Sequence, residues 1–481
     1  MKHALLSPTA IALYGLLALI ALPYALPATL ALPGAPAASV GRLRLLTPRE
    51  PAKVDTIVAA PTAVGVAALV TDTDESGTRA PTSSPGSIAE PPPSLKLPIE
   101  DPSGHALDRF YASLRKTEAR EPGAITRIAY FGDSVVAADW ITSTLRRSLQ
   151  ARYGDAGHGY VLPANAWPGY FHQDVARFAS PGWKASRVVG PFDERGVYGL
   201  GGVTLVAEGP GTFATVATVP ANKGATIGTA VSRFRVSYRE APNGGDLRLS
   251  VDGTIIDTIA TRAETMRIVT RNLEVEEGAH KLEVRSMGNG PVGVLGVDLE
   301  RAGPGVVVDA LGIVGCRMRF LDKTRDDVFA ENLRARAPAL IVLAYGANES
   351  EDGFAYPMAD YERTARQVVE KVKRASPESA CLLVGPMDRA DKRGDGYATR
   401  PVIPELARLQ KQLAAELGCG YFDTFRAMGG HGSMGVWVQR GLGGKDLVHP
   451  TNEGAAVIAG WLESALLAGF AEHVRKSAAG R

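Results

Sequence analysis

Apolar positions along this chain keep two different rhythms. Around residues 110–153, and again from about 306 to 470, short continuous apolar runs alternate with helically spaced ones. The run Arg127-Ile128-Ala129-Tyr130-Phe131 predicts a strand ending at Phe131. Trp140, Ile141, Leu145 and Leu149 then recur at helical spacing and predict a helix over about 137–153. Downstream, strands are predicted at 306–308, 340–345, 382–384 and 421–422, with helices at 326–336, 361–373, 404–417 and 452–470. In the third of these helices Leu406, Leu409, Leu413 and Leu417 share one face. Between the two blocks, from about 187 to 300, the period drops to two. Phe234, Val236 and Tyr238 alternate with Arg233, Arg235 and Ser237, and Leu247, Leu249 and Val251 with Arg248 and Ser250, with Leu282 and Val284 following suit. Asn243-Gly244-Gly245, Asp252-Gly253 and Glu277-Gly278 supply the turns. Strands alternating with helices imply a parallel sheet covered on both faces, and short alternating strands with glycine turns imply a sandwich or jelly roll. The expected fold class is therefore α/β: a three-layer α/β/α domain in two parts (104–186 and 305–472), a β-sandwich inserted at 187–304, and a tail at 473–481.

The N-terminus follows neither rhythm. Met1-Lys2-His3 precedes the apolar stretch Ala10–Leu22, which Pro23 and Pro27 end, and Pro36-Ala37-Ala38-Ser39 has the small residues of a cleavage region. Residues 1–38 read as an export signal or, uncleaved, an N-terminal anchor to a membrane; either implies a periplasmic or extracellular protein. Residues 39–103, rich in Pro, Ala, Ser and Thr, read as a disordered tether. A hydrophobic fraction of 45% leaves ample material for a core, and a net charge of +2 makes no case for a nucleic-acid partner. No metal-ligand spacing and no phosphate-cradling loop occurs, so no cofactor or metal is expected. The three cysteines, Cys316, Cys381 and Cys419, are expected as buried thiols, although a bridge is conceivable if the strands at Cys381 and Cys419 are neighbours.

Candidate chemistry sits at strand ends. Ser134, in Gly132-Asp133-Ser134, follows the first apolar run; Asn348, in Gly346-Ala347-Asn348-Glu349, follows another; Gly315, with Gly312 close by, follows a third. Asp446-Leu447-Val448-His449 precedes the last helix. A serine hydroxyl needs a base, for which His449 is the candidate, with Asp446 to fix its tautomer. The backbone N–H groups of Ser134 and Gly315 and the Asn348 amide are candidate oxyanion donors. Either Gly315 or Gly312 could mark the turn. Asp133 is expected to organise the turn rather than do chemistry. Asp139 is either a second polar group near the mouth or an exposed helix residue.

This order of Ser, Gly, Asn and His blocks resembles the SGNH (GDSL-like) hydrolase superfamily over roughly residues 128–468. The resemblance implies a flavodoxin-like sheet and a serine esterase working through Ser134, Asp446 and His449. Within the superfamily the inserted β region is similar to the carbohydrate-binding-like module of peptidoglycan O-acetylesterases. An exported esterase removing O-acetyl groups from an envelope polysaccharide is thus expected, peptidoglycan first, with an O-acetyltransferase or a non-catalytic glycan-binding protein as alternatives. Glu349 departs from the superfamily pattern, in which Asp commonly follows the Asn. An aromatic, glycine-rich stretch (Gly157-His158-Gly159-Tyr160 and Trp167 to His172) either lines a glycan cleft or packs the insert against the α/β domain.

Overall fold

In the computed structural model the described residues are 97–221, 225–394 and 396–479. The expected signal and nearly all of the expected tether lie outside them. The end of that tether does not behave as one: Glu100 exchanges backbone hydrogen bonds of 2.8 and 2.9 Å with Tyr421, and Lys411 pairs with its carboxylate at 2.5 Å. Residues 97–103 therefore belong to the folded domain.

Five parallel strands make the central sheet: β1 (Ile125–Gly132), β2 (Gly305–Gly312), β3 (Leu340–Ala344), β4 (Ala380–Val384) and β5 (Gly420–Phe422), in the order β2-β1-β3-β4-β5. That order reverses direction at β1, the switch point beyond whose strand ends ligands bind in open α/β sheets. Every residue of β2 and β4 is buried, as befits strands with helices on both faces. Helices Asp108–Glu118, Trp140–Tyr153 and Asn452–Ala479 share one core with the β1–β3 side chains Ile128, Tyr130 and Val342; helices Asp326–Arg336, Met358–Ala375 and Val402–Glu416 share the other. The last helix runs to Ala479, so most of the expected tail is helical; its first turn is capped by Thr451 Oγ1, which accepts the Gly454 N–H at 3.2 Å.

Two antiparallel sheets interrupt this domain. One has strands Arg267–Gly278, Val231–Glu240, Val292–Glu300, Val203–Ala207 and Trp183–Arg187, with Gly159–Val161 on the far end of Val292–Glu300; the other has Ala176–Ala179, Phe213–Ala217, Lys281–Ser286, Asp246–Val251 and Thr254–Ala260. Val236 and Tyr238 of the first meet Leu249, Leu282 and Val284 of the second in one core. The sandwich thus begins before residue 187, drawing three strands from the segment expected to belong to the α/β domain. Those strands are short: Gly159–Val161 is buried throughout, whereas Ala176–Ala179 and Trp183–Arg187 are half-buried or exposed, and none is long enough to show a clear apolar alternation.

The insert is welded to its host by charge. Buried Arg336 reaches Asp309 on β2 at 2.6 and 2.7 Å and also pairs with Glu300, which receives Arg127 of β1 at 3.0 Å. Burial would raise the Glu300 carboxyl, but Arg336 and Arg127 outweigh it and hold it down to about 2.

Candidate active site

Register alone assembles the site. Gly132 of β1 pairs with Gly312 of β2 on one side and Ala344 of β3 on the other. Ser134, Gly315 and Asn348 follow those three positions by two, three and four residues, so all three emerge at one sheet end. The turn after β1 is tight. Asp133 accepts the Val135 N–H at 3.2 Å and caps the short helix Ser134–Ala137, the turn-organising part expected of it. Glycine is required on both flanks: a Cβ at Gly132 would lie 2.4 Å from Val136 Cγ2, and one at Gly312 would lie 2.2 Å from the Ala137 nitrogen.

The helix expected over 137–153 is broken after Ala137. Asp139 takes a left-handed φ of 54° and starts the helix Trp140–Tyr153 anew. It is neither at the mouth nor exposed. Its side chain is fully buried, accepts Arg146 at 2.6 Å and Thr142 at 2.6 Å, and receives the Gln173 N–H at 2.9 Å. The pairing with Arg146 overrides the periodicity that predicts one continuous helix.

Across the sheet end, the segment 442–451 brings the imidazole. His449 Nε2 lies 2.7 Å from Ser134 Oγ, and His449 Nδ1 lies 2.7 Å from Asp446 Oδ2. Asp446 Oδ1 also accepts the backbone N–H groups of Val448 and His449, each at 3.0 Å. This local ring of bonds lets an Asp and a His three residues apart face each other, with Leu447 between them in a left-handed φ of 60°. Leu447 O takes the Ala390 N–H at 3.1 Å, which fixes the loop to the segment after β4. Burial opposes charge on Asp446, but the His449 bond and the two amides outweigh it and hold its carboxyl to about 2. Burial likewise opposes charge on His449; the bond and charge of Asp446, with Asp133 behind, outweigh it and raise the imidazole above its ordinary value. Asp133 itself is pushed up by burial to about 6, against the Val135 N–H and the charge of His449.

Of the two glycines, Gly315 occupies the exposed turn, with φ 76°, and Gly312 ends β2 against the nucleophile helix. The Gly315 N–H has no hydrogen-bond partner among the described residues. Asn348 stands beside that turn, its amide donating to Cys316 O at 3.0 Å. The arrangement can therefore activate a hydroxyl, orient its base, and present N–H groups to an oxyanion.

Three residues support these loops; Glu349 stood out in the sequence only as a departure from the superfamily pattern, and Arg389 and Gln410 carried no signal. Buried Glu349 accepts the Met318 N–H at 2.8 Å. Buried Arg389 donates to Ala347 O at 3.0 Å and Ser350 Oγ at 3.2 Å. Gln410 donates to Tyr345 O at 2.9 Å. The aromatic stretch packs rather than gapes: Tyr160, Trp167, Tyr170, His158 and His172 are buried, and of its aromatic side chains Phe171 alone, 47% exposed, reaches solvent. His158 and His172 lie 3.3 Å apart, both lowered chiefly by burial. Cys381 on β4 and Cys419, the residue before the neighbouring β5, have Cα atoms 4.7 Å apart and form a disulfide instead of two thiols, while Cys316 is a buried thiol.

Residues 277–457 match the model of the GDSL-like Lipase/Acylhydrolase family. The match includes Gly315, Asn348, Asp446 and His449 and leaves out Ser134, which the inserted sheets separate from them in sequence. No curated protein matches the chain. A solved peptidoglycan O-acetylesterase is similar in fold, with a TM-score of 0.65 at 23% identity over 78% of this chain and 99% of that one. A family two carbohydrate esterase from Cellvibrio japonicus gives a TM-score of 0.26 at 14% identity, covering 62% and 98%. An acetylxylan esterase from Geobacillus stearothermophilus gives 0.26 at 22%, covering 34% and 73%.

Proposed function

We propose that this chain, which carries a GDSL-like acylhydrolase domain, is an exported serine esterase that removes O-acetyl groups from an envelope polysaccharide, peptidoglycan in the first place. The observation that carries the reading is the line Asp446–His449–Ser134, with two contacts of 2.7 Å. His449 Nε2 takes the Ser134 proton as Oγ bonds to the acetyl carbon. The oxyanion is held by the Ser134 and Gly315 N–H groups and the Asn348 amide. His449 then returns the proton to the departing sugar oxygen, leaving acetyl-Ser134. Water, deprotonated by the same His449, adds to the acetyl carbon; the Ser134 oxygen departs with that proton, and acetate is released.

Similarity in fold to a peptidoglycan O-acetylesterase over 78% of the chain supports the polymer. The N-terminal apolar segment supports export, and a disulfide suits an oxidising compartment outside the cytoplasm. The residues after the signal would then tether the domain to the envelope. The test is acetate release from O-acetylated peptidoglycan by the full chain and its Ser134→Ala variant, with and without a sugar acceptor. Ser134-dependent acetate supports the esterase. Product that forms only with the acceptor reassigns the chain to acetyl transfer. Glycan binding without turnover of this polymer or a small acetyl ester refutes catalysis.

A further inference from the structure

Two of the three oxyanion donors, Gly315 and Asn348, sit on loops after β2 and β3, and a pair of hydrogen bonds joins those loops. Asn348 donates its amide to Cys316 O at 3.0 Å, and Glu349 accepts the Met318 N–H at 2.8 Å. The first ties the Asn348 side chain to the residue after Gly315; the second clamps the same turn two residues further on. Glu349 is 3% exposed, and its second oxygen, Oε2, has no hydrogen-bond partner among the described residues. A buried carboxylate with a vacant acceptor is expensive to keep, and a surface turn needs none.

We propose that Glu349 is a positioning residue for the oxyanion hole, its carboxylate holding the turn that bears Gly315 against the loop that bears Asn348. The inference rests on the esterase reading above. Burial raises the Glu349 carboxyl to about 7, opposed by the Met318 N–H. Asp133 from the nucleophile turn, Cys316 and Arg317 from the clamped turn, Tyr345 after β3 and Tyr361 of helix Met358–Ala375 are the other titratable and charged groups around it. Arg319 and Tyr356 line a small cavity beside it. Glu349 touches no reacting atom, so its removal acts through Gly315 and Asn348: oxyanion donors displaced by even 1 Å cost roughly 100-fold.

The test uses p-nitrophenyl acetate, with the parent, Ser134→Ala, Asn348→Ala, and Glu349→Leu, Gln and Asp. Glu349→Leu is expected to lower kcat about 10–100-fold while KM stays within about twofold, the mark of an interaction felt in the transition state. Glu349→Gln, whose amide oxygen can still accept the Met318 N–H, is expected to restore most of that loss. Glu349→Asp keeps the charge but falls one methylene short, and is expected to stay impaired. In the cycle with Asn348→Ala the two losses are expected to overlap rather than multiply, because both act on one oxyanion hole. Multiplying losses, a raised KM at unchanged kcat, or a poor Gln beside a good Asp overturns the proposal. If Glu349→Leu does not fold, the order of Gln and Asp and the cycle of Glu349→Asp with Asn348→Ala decide. A parent without Ser134-dependent turnover overturns the esterase reading and this inference with it, whereas turnover with multiplying losses overturns this one alone.

Discussion

Replacing Asp446 by Asn changes one bond of three. The amide oxygen can still accept the Val448 and His449 N–H groups, now at 3.0 Å each, so the turn survives. What is lost is the acceptor 2.7 Å from His449 Nδ1. An Asn NH2 there selects the tautomer with its proton on Nε2, the atom that must receive the Ser134 proton. A buried triad carboxylate treated this way costs about 10⁴-fold in kcat. Here the Asp446 side chain is 52% exposed and His449 31%, so water can partly replace the acceptor, and the expected loss is nearer 10²–10³-fold, or about 3–4 kcal/mol of barrier. The pH profile should move as well. His449 must be neutral to act as base, and Asp446 is what raises its pKa; without Asp446, burial dominates and the acidic limb of kcat/KM should shift to lower pH. The assay is kcat/KM for p-nitrophenyl acetate between pH 5 and 9, with circular dichroism to establish folding. A loss below about tenfold with an unmoved acidic limb would refute the role of Asp446.

Three further outcomes follow from the packing. Gly312→Ala places a Cβ 2.2 Å from the Ala137 nitrogen; it should cost about 1–3 kcal/mol in denaturant unfolding and lower kcat out of proportion, because the clash falls on the helix that begins at Ser134. Arg336→Met leaves Asp309 and Glu300 buried without their main partner and should cost about 3–5 kcal/mol in the same assay. Glu300 is held from 4.5 down to about 2, so its share of stability is present above pH 4.5 and lost as pH falls towards 2, and the variant should flatten that slope. Cys381→Ala opens the Cys381–Cys419 crosslink, which spans 38 residues, and should cost about 2–4 kcal/mol; a reductant should destabilise the parent in thermal unfolding and leave the variant unchanged.

The sequence carried the repeating features well, because periodicity reports burial directly. Helix Asp326–Arg336 and strand Leu340–Ala344 follow the apolar pattern almost residue for residue, and Phe234, Val236 and Tyr238 all point into the sandwich. Ser134, Asn348, Asp446 and His449 were legible as motifs at element ends, and the structure brings Ser134, His449 and Asp446 into one hydrogen-bonded line. What escaped were features set by distant partners. Asp139 breaks a helix because Arg146 and Gln173 meet it in the interior. Glu349 looked like a variation in a loop, and only its bond to Met318 gives it a task. The disulfide depended on β4 and β5 being neighbours, which spacing alone does not fix. The hairpin Ala390–Arg393 and Gly396–Thr399 and the helices Thr424–Met428 and Ser433–Gln439 are too short for a period to register.

The central claim is that Ser134 carries the acetyl group. Intact-mass and peptide mass spectrometry on protein quenched during turnover of p-nitrophenyl acetate tests it most directly. The account predicts one acetyl group on the peptide containing Ser134, absent from Ser134→Ala and gone once substrate is exhausted. Acetate release that continues undiminished in Ser134→Ala, with no adduct on the parent, would contradict it.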